Sequence, residues 1–121
     1  MPAPTTLAVV DGNPVAARAL KLLLEGAGYE IRSLTYPFNG NLGEALAGAG
    51  LLLLPPALGA DASATLLASI GAIPALVTLP VVALVAPGDE PPRSAGLAGH
   101  LPWPCRIEVL VRHIEAVFDN L

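Results

Sequence analysis

Charge is scarce in this sequence. Only 13% of the 121 residues are Asp, Glu, Lys or Arg, and six basic residues against ten acidic ones leave a formal charge of −4. So few basic residues, scattered rather than clustered, make no electrostatic footprint for a polyanion, and no direct nucleic-acid contact is expected. Cysteine occurs once, at Cys105, which excludes an internal disulfide and fits a reducing, cytoplasmic setting. Aromatic residues make up 4% of the chain, with a single tryptophan, Trp103. The opening Met-Pro-Ala-Pro-Thr-Thr has neither the basic flank nor the apolar run of a secretory signal. No internal repeat and no linker divides the chain, so one domain over residues 1–121 is expected.

Between Asp61 and Asp89 there is no charged residue at all. A membrane-spanning helix needs about 20 mostly apolar residues. Here Gly71, Pro74, Pro80 and Pro87 cut the stretch into shorter pieces, so no membrane span is expected.

What is present is a series of short apolar runs. Gly50-Leu-Leu-Leu-Leu-Pro-Pro56 reads as a strand buried on both faces, the usual state of a central strand in a parallel sheet covered by helices. Pro55 ends it, because proline removes the N–H and fixes φ. Leu7 to Val10 and Val81 to Val85 read the same way, and Tyr29 to Leu34 as a strand with Tyr29, Ile31 and Ser33 on one side and Glu30 and Arg32 on a wetter one. Asn13-Pro14 is an N-cap followed by a proline at the first helical position. From there to Ala27 a helix is expected, with Arg18, Lys21 and Glu25 in a wet stripe and Ala16, Leu20, Leu23 and Leu24 largely opposite. A short helix is expected over Asn41 to Ala49, and another to about Ile70 capped by Asp61 or Ser63. Pro91 to Ala98 reads as a loop with a poor helix, His100-Leu101 as a last short strand, and Cys105 to Asp119 as a closing amphipathic helix. Strands alternating with helices imply βαβ units, a parallel sheet and right-handed crossovers.

Five stretches, in order, carry a resemblance that covers essentially the whole chain. They are Leu7-Ala-Val-Val-Asp-Gly-Asn-Pro14, Leu22 to Ile31, Asp61 to Ile70, Leu79-Pro-Val-Val-Ala-Leu-Val-Ala86 and Gly99-His-Leu-Pro-Trp-Pro104. In these the chain resembles the receiver domain of two-component response regulators. The resemblance implies an α/β, flavodoxin-like (CheY-like), doubly wound five-stranded parallel sheet in the order 2-1-3-4-5 with five flanking helices.

Receivers take a phosphoryl group onto an aspartate at the end of the third strand. Such transfer rests on positioning and charge neutralisation, and the Mg²⁺ involved needs carboxylate oxygens in near-octahedral geometry. The family supplies an acidic pair after the first strand, the acceptor aspartate, a Thr or Ser after the fourth strand, and a Lys before a proline after the fifth. On this sequence Asp11 matches the first acidic position, but Gly12 follows it. Pro55 stands at the acceptor position, Val85 at that of the Thr or Ser, and Trp103 at that of the lysine before Pro104. Leu51 to Leu58 contains no acidic residue, so a shift of one position restores nothing. The chain resembles a degenerate receiver, a pseudo-receiver, and is expected to be no enzyme and to need no cofactor.

Individual residues carry alternatives. Asp11 serves as a cap or anion at the first helix, worth about 0.3–1 kcal/mol, or as a ligand contact. Asp89 and Glu90, on the loop after the fourth strand, are solvated charges or recruit a cation. Trp103 fills the space of the former site or stands exposed as an interface anchor. Cys105 is a small buried hydrophobe or a thiol of lowered pKa at a helix start. His100 occupies the receiver's aromatic switch position and reads as a surface histidine; with His113 and Cys105 it makes no zinc spacing. Gly48-Ala-Gly50 precedes a strand, the wrong order for a dinucleotide turn, and the cobalamin pattern Asp-x-His-x-x-Gly meets Asn13 where it needs histidine.

The function expected is a phosphorylation-independent receiver acting as a protein–protein interaction or dimerisation module in signalling or transcriptional control. The partner, or a second copy, would dock on the surface that receivers build from their fourth helix, fifth strand and fifth helix, here Arg93, His100, Val109, Arg112 and His113. The alternative is a small-molecule sensor whose ligand occupies the former phosphorylation site, against Pro55, Pro56, Val85 and Trp103 with Asp11 at its edge.

Overall fold

The computed structural model describes residues 6–11, 14–35, 41–55, 60–76, 78–88, 97–103 and 105–119. Its elements run β1 (Thr6–Asp11), α1 (Pro14–Gly26), β2 (Glu30–Thr35), α2 (Leu42–Ala45), β3 (Leu51–Leu54), α3 (Ala60–Gly71), a 3₁₀ turn (Pro74–Leu76), β4 (Val81–Val85), β5 (Leu97–Pro102) and α4 (Ile107–Asp119). The five strands are parallel, in the order β2-β1-β3-β4-β5. The expected sheet is therefore the one observed. Among the described residues there are four α-helices rather than five. Residues 91–96, where the remaining helix is expected, lie outside the described residues, and the end of that stretch is corrected: Leu97 and Ala98 already belong to β5.

The four leucines of β3 are all buried, and they divide by the two-residue period of a strand. Leu52 and Leu54 enter one core with Ala8, Val10, Val81 and Ala83, covered by Leu46 and by Leu66, Leu67 and Ile70 of α3. Leu51 and Leu53 enter a second core with Leu7, Val9, Val82 and Leu84, covered by Leu20 and Leu24 of α1 and Leu110 and Ile114 of α4. One short strand thus supplies both layers.

Local chemistry sets the helix ends. Asn41 caps α2, its Oδ1 accepting from Glu44 N at 3.3 Å. At the other end the Arg32 guanidinium donates to the carbonyls of Ala45 (2.9 Å) and Ala47 (2.6 Å), so a residue expected on a wet strand face pins a four-residue helix that could not stand alone. Helix α1 stops where Gly28 turns to a φ of +100°, a conformation that L side chains rarely adopt. Helix α3 starts at Ala60, so neither expected cap serves: Asp61 lies in its first turn and Ser63 is buried.

Two residues stand on the sides expected of them but are not buried there. Ser33, level with Val9, shares the side of Tyr29 and Ile31 yet is exposed. Leu23 lies opposite the wet stripe of α1, as expected, but is 47% exposed, beside Leu22 at 61% and Val15 at 80%. The core takes Leu20 and Leu24 and leaves the others outside. Among the described residues no helix is long and apolar enough to cross a membrane.

Tyr29 packs against the second core. Burial, with the Glu115 carboxylate as a smaller cause, pushes its phenol above the ordinary value of 10.0. A phenol whose pKa is raised on folding contributes stability that is complete below the unfolded value and is lost as pH rises through the folded one. Stability should therefore fall above about pH 10. Tyr29→Phe should flatten that part of a urea-midpoint profile, and Glu115→Gln should flatten it in part.

Candidate functional site

In a parallel sheet all strands end at the same edge, and ligands of open α/β sheets bind outside those carboxyl ends. Asp11 closes β1 opposite Thr35 of β2. The β1–β3 register pairs Leu7 with Leu51, Ala8 with Leu52 and Val9 with Leu53; carried on two residues, it sets Asp11 level with Pro55. Pro55 is buried. Val85 pairs with Pro102, and Trp103 N donates to Val85 O at 2.8 Å. The backbone therefore gathers Asp11, Pro55, Val85 and Trp103 along one rim. Gly12, Pro56, Asp89 and Glu90 lie outside the described residues.

The side chains of this rim do not share one face of the sheet. Val85 packs against the core on the α2–α3 side, whereas Trp103 packs against the core on the α1–α4 side. The indole is half-buried with Leu101, Cys105 and Ile107 around the same core, so Trp103 contributes to packing rather than standing free. Cys105 is half-buried too, and burial pushes its thiol up from 9.0. That corrects the reading of a helix-start thiol of lowered pKa.

Mg²⁺ does not fit this donor set. Octahedral binding by a protein draws on carboxylates, and Asp11 is the one carboxylate among the positions that hold the ion and the acceptor in receivers, Gly12 and Pro55 being the others. Among the described residues no three of His, Cys, Asp and Glu gather closely enough to hold a metal.

Among the described residues, two cavities lie away from the rim. One, about 450 Å³, runs between α1 and α4, lined by Leu23, Gly26, Ala27, Ile107 and Val111 with Glu108, Arg112 and Glu115 along its edge. The other, about 350 Å³, lies between the α2–β3 connection and the Leu76 to Pro80 segment. Neither is lined by Pro55, Val85 or Trp103.

The expected interaction face is divided by the structure. His100 is exposed on β5, level with Ala83, and Val109 on α4 is 44% exposed. Arg112 opens onto the α1–α4 groove instead. His113 lies across β5: a Cβ added at Gly99 would stand 2.7 Å from its Nε2, and among the described residues that buried nitrogen has no hydrogen-bond partner. Leaving a polar atom so costs about 1–3 kcal/mol. The close approach coincides with a bulge, since Val81 pairs with Leu97 and Val82 with Gly99, leaving Ala98 as the extra residue. Arg93 lies outside the described residues.

Sequence reasoning missed the α1–α4 groove and the contact of Gly99 with His113. The surplus of leucines over α1 was the available signal for the first. The second had none, because a glycine in a strand does not name the side chain that crosses it.

No family model matches the chain, and no curated protein does. Solved structures do. A protein assigned as a response regulator from Chloroflexus aurantiacus J-10-fl is 28% identical, with a TM-score of 0.71 over 94% of this chain and 97% of its own. The chemotaxis protein CheY4 of Vibrio cholerae is 17% identical, with a TM-score of 0.73 over 95% of this chain and 99% of its own. The signal receiver domain of a signal transduction histidine kinase from Syntrophus aciditrophicus is 23% identical, with a TM-score of 0.70 over 97% and 92%.

Gly99→Ala should cost about 1–3 kcal/mol by crowding the His113 ring. The double variant Gly99→Ala/His113→Ala should cost less than the sum of the single changes. Urea unfolding of the four proteins measures that coupling.

Proposed function

Because this chain has the fold of the receiver domain of two-component response regulators, we propose that it is a non-catalytic, phosphorylation-independent receiver that works as a protein–protein interaction module in the cytoplasm. The observation that carries the reading is the buried Pro55 at the carboxyl end of β3, where receivers place the aspartate that accepts the phosphoryl group. A proline has no oxygen nucleophile to offer. The surroundings agree with it: Val85 and Trp103 are neither hydroxyl nor cation, and both serve the packing of the two cores.

A receiver without its chemistry keeps its surfaces. We assign the partner-binding role to the edge of the sheet made by β5 and to the outer side of α4, where His100 and Val109 are exposed. An apolar side chain flanked by polar groups on a rigid scaffold is the composition of a protein-binding patch rather than of a small-ligand pocket.

Two measurements test this. Incubation with acetyl phosphate and Mg²⁺ should leave the intact mass unchanged and should not alter Trp103 fluorescence; an Mg²⁺-dependent phosphoryl adduct would overturn the reading. Val109→Glu should leave the unfolding midpoint within about 0.5 kcal/mol of the parent while abolishing recovery of the chain's protein partner. Equal recovery by the variant and the parent would remove the β5–α4 face from the proposal.

A further inference from the structure

The outer surface of α1 is more apolar than a solvent-facing helix requires. Val15, Ala19, Leu22 and Gly26 are all exposed, Val15 at 80% and Leu22 at 61%. Their spacing of four, three and four residues makes one straight seam of the kind that two helices share in a coiled coil. At about 100° per residue this seam lies roughly opposite Leu20 and Leu24, which face the core. A helix of one small domain has no internal use for a second apolar face.

The flanks of the seam differ from each other. On one side stand Arg18 and Glu25, both exposed, seven residues apart and opposite in sign. On the other stands Leu23, 47% exposed, through which the apolar surface continues into the α1–α4 groove floored by Ile107 and Val111.

We propose that this face is the seam of a homodimer, in which α1 packs antiparallel against α1 of a second copy about a two-fold axis. The occupant follows from the flanks. In an antiparallel pair related by a two-fold axis, each flank meets its own equivalent. Arg18 of each copy then meets Glu25 of the other, twice over, and the apolar Leu23 flank meets its counterpart. A parallel pair would set the Arg18–Glu25 flank against the Leu23 flank, leaving charge beside apolar surface with no partner. The charge pattern is therefore self-complementary in one orientation only. The groove becomes part of the contact, with α4 of each copy outside the central pair of α1 helices. This surface lies on α1, away from the β5–α4 face, and stands or falls apart from it.

Sedimentation equilibrium of the full chain tests the proposal. The parent protein should be dimeric. Leu22→Glu should make it monomeric with unchanged helical circular dichroism. Arg18→Glu and Glu25→Arg, each of which sets like charges together twice, should weaken the dimer by about tenfold or more. The double exchange Arg18→Glu/Glu25→Arg should restore it, and Val109→Glu should leave it intact. A parent chain that stays monomeric at millimolar concentration overturns the inference, and so does a double exchange that fails to restore the dimer. Dissociation by Val109→Glu with survival of Leu22→Glu would move the dimer to the β5–α4 face and overturn it equally.

Discussion

Two-sided burial of β3 is the constraint on which the rest of this structure depends. Each buried leucine contributes about 1.5–3 kcal/mol relative to exposure, and β3 sends two into each core. A strand buried on both faces must have a helix layer on each, and parallel neighbours reached by crossovers. That requirement brings α1 and α4 to one side and α2 and α3 to the other, and it lines up the ends of β1, β3, β4 and β5 at one edge. Pro55 closes the strand at that edge, where a receiver performs its chemistry. The same residue that ends the central strand stands where the receiver resemblance puts the acceptor.

Uncharged residues at the rim change what holds it together. Where a metal and a lysine would be held by charge, this chain uses packing and backbone: Trp103 is tied to Val85 through the main chain and lies half-buried on the second core. The two faces of the sheet take up the rim residues separately, Val85 on one and Trp103 on the other. The outer surfaces of α1 and α4 show apolar side chains beyond what the cores accept.

Some features depend on contacts between elements distant in sequence. Arg32 on β2 holds the carbonyl end of α2, Glu115 on α4 acts on the Tyr29 phenol, and His113 lies against Gly99. Each is a single side chain reaching across a helix–sheet boundary. None leaves a periodic mark in the sequence, because periodicity records which face of an element is apolar and not which neighbour that face meets.

The sequence by itself determined the order of elements, the parallel sheet and the proline that closes its central strand. Runs of four or five apolar residues bounded by proline and glycine can be satisfied only by burial on both sides, and Pro55 cannot carry a phosphoryl group in any fold. It also marked α4 as amphipathic, and the buried Leu110 and Ile114 follow the helical period. Tertiary structure alone decided which leucines of α1 the core would take, where β5 begins, and which residues meet across the layers. The reason is steric: a core accepts only the side chains whose positions and volumes fit its space. Leu22 and Leu23, chemically the same as Leu20 and Leu24, are left outside because α1 turns the side of Leu20 and Leu24 to the core.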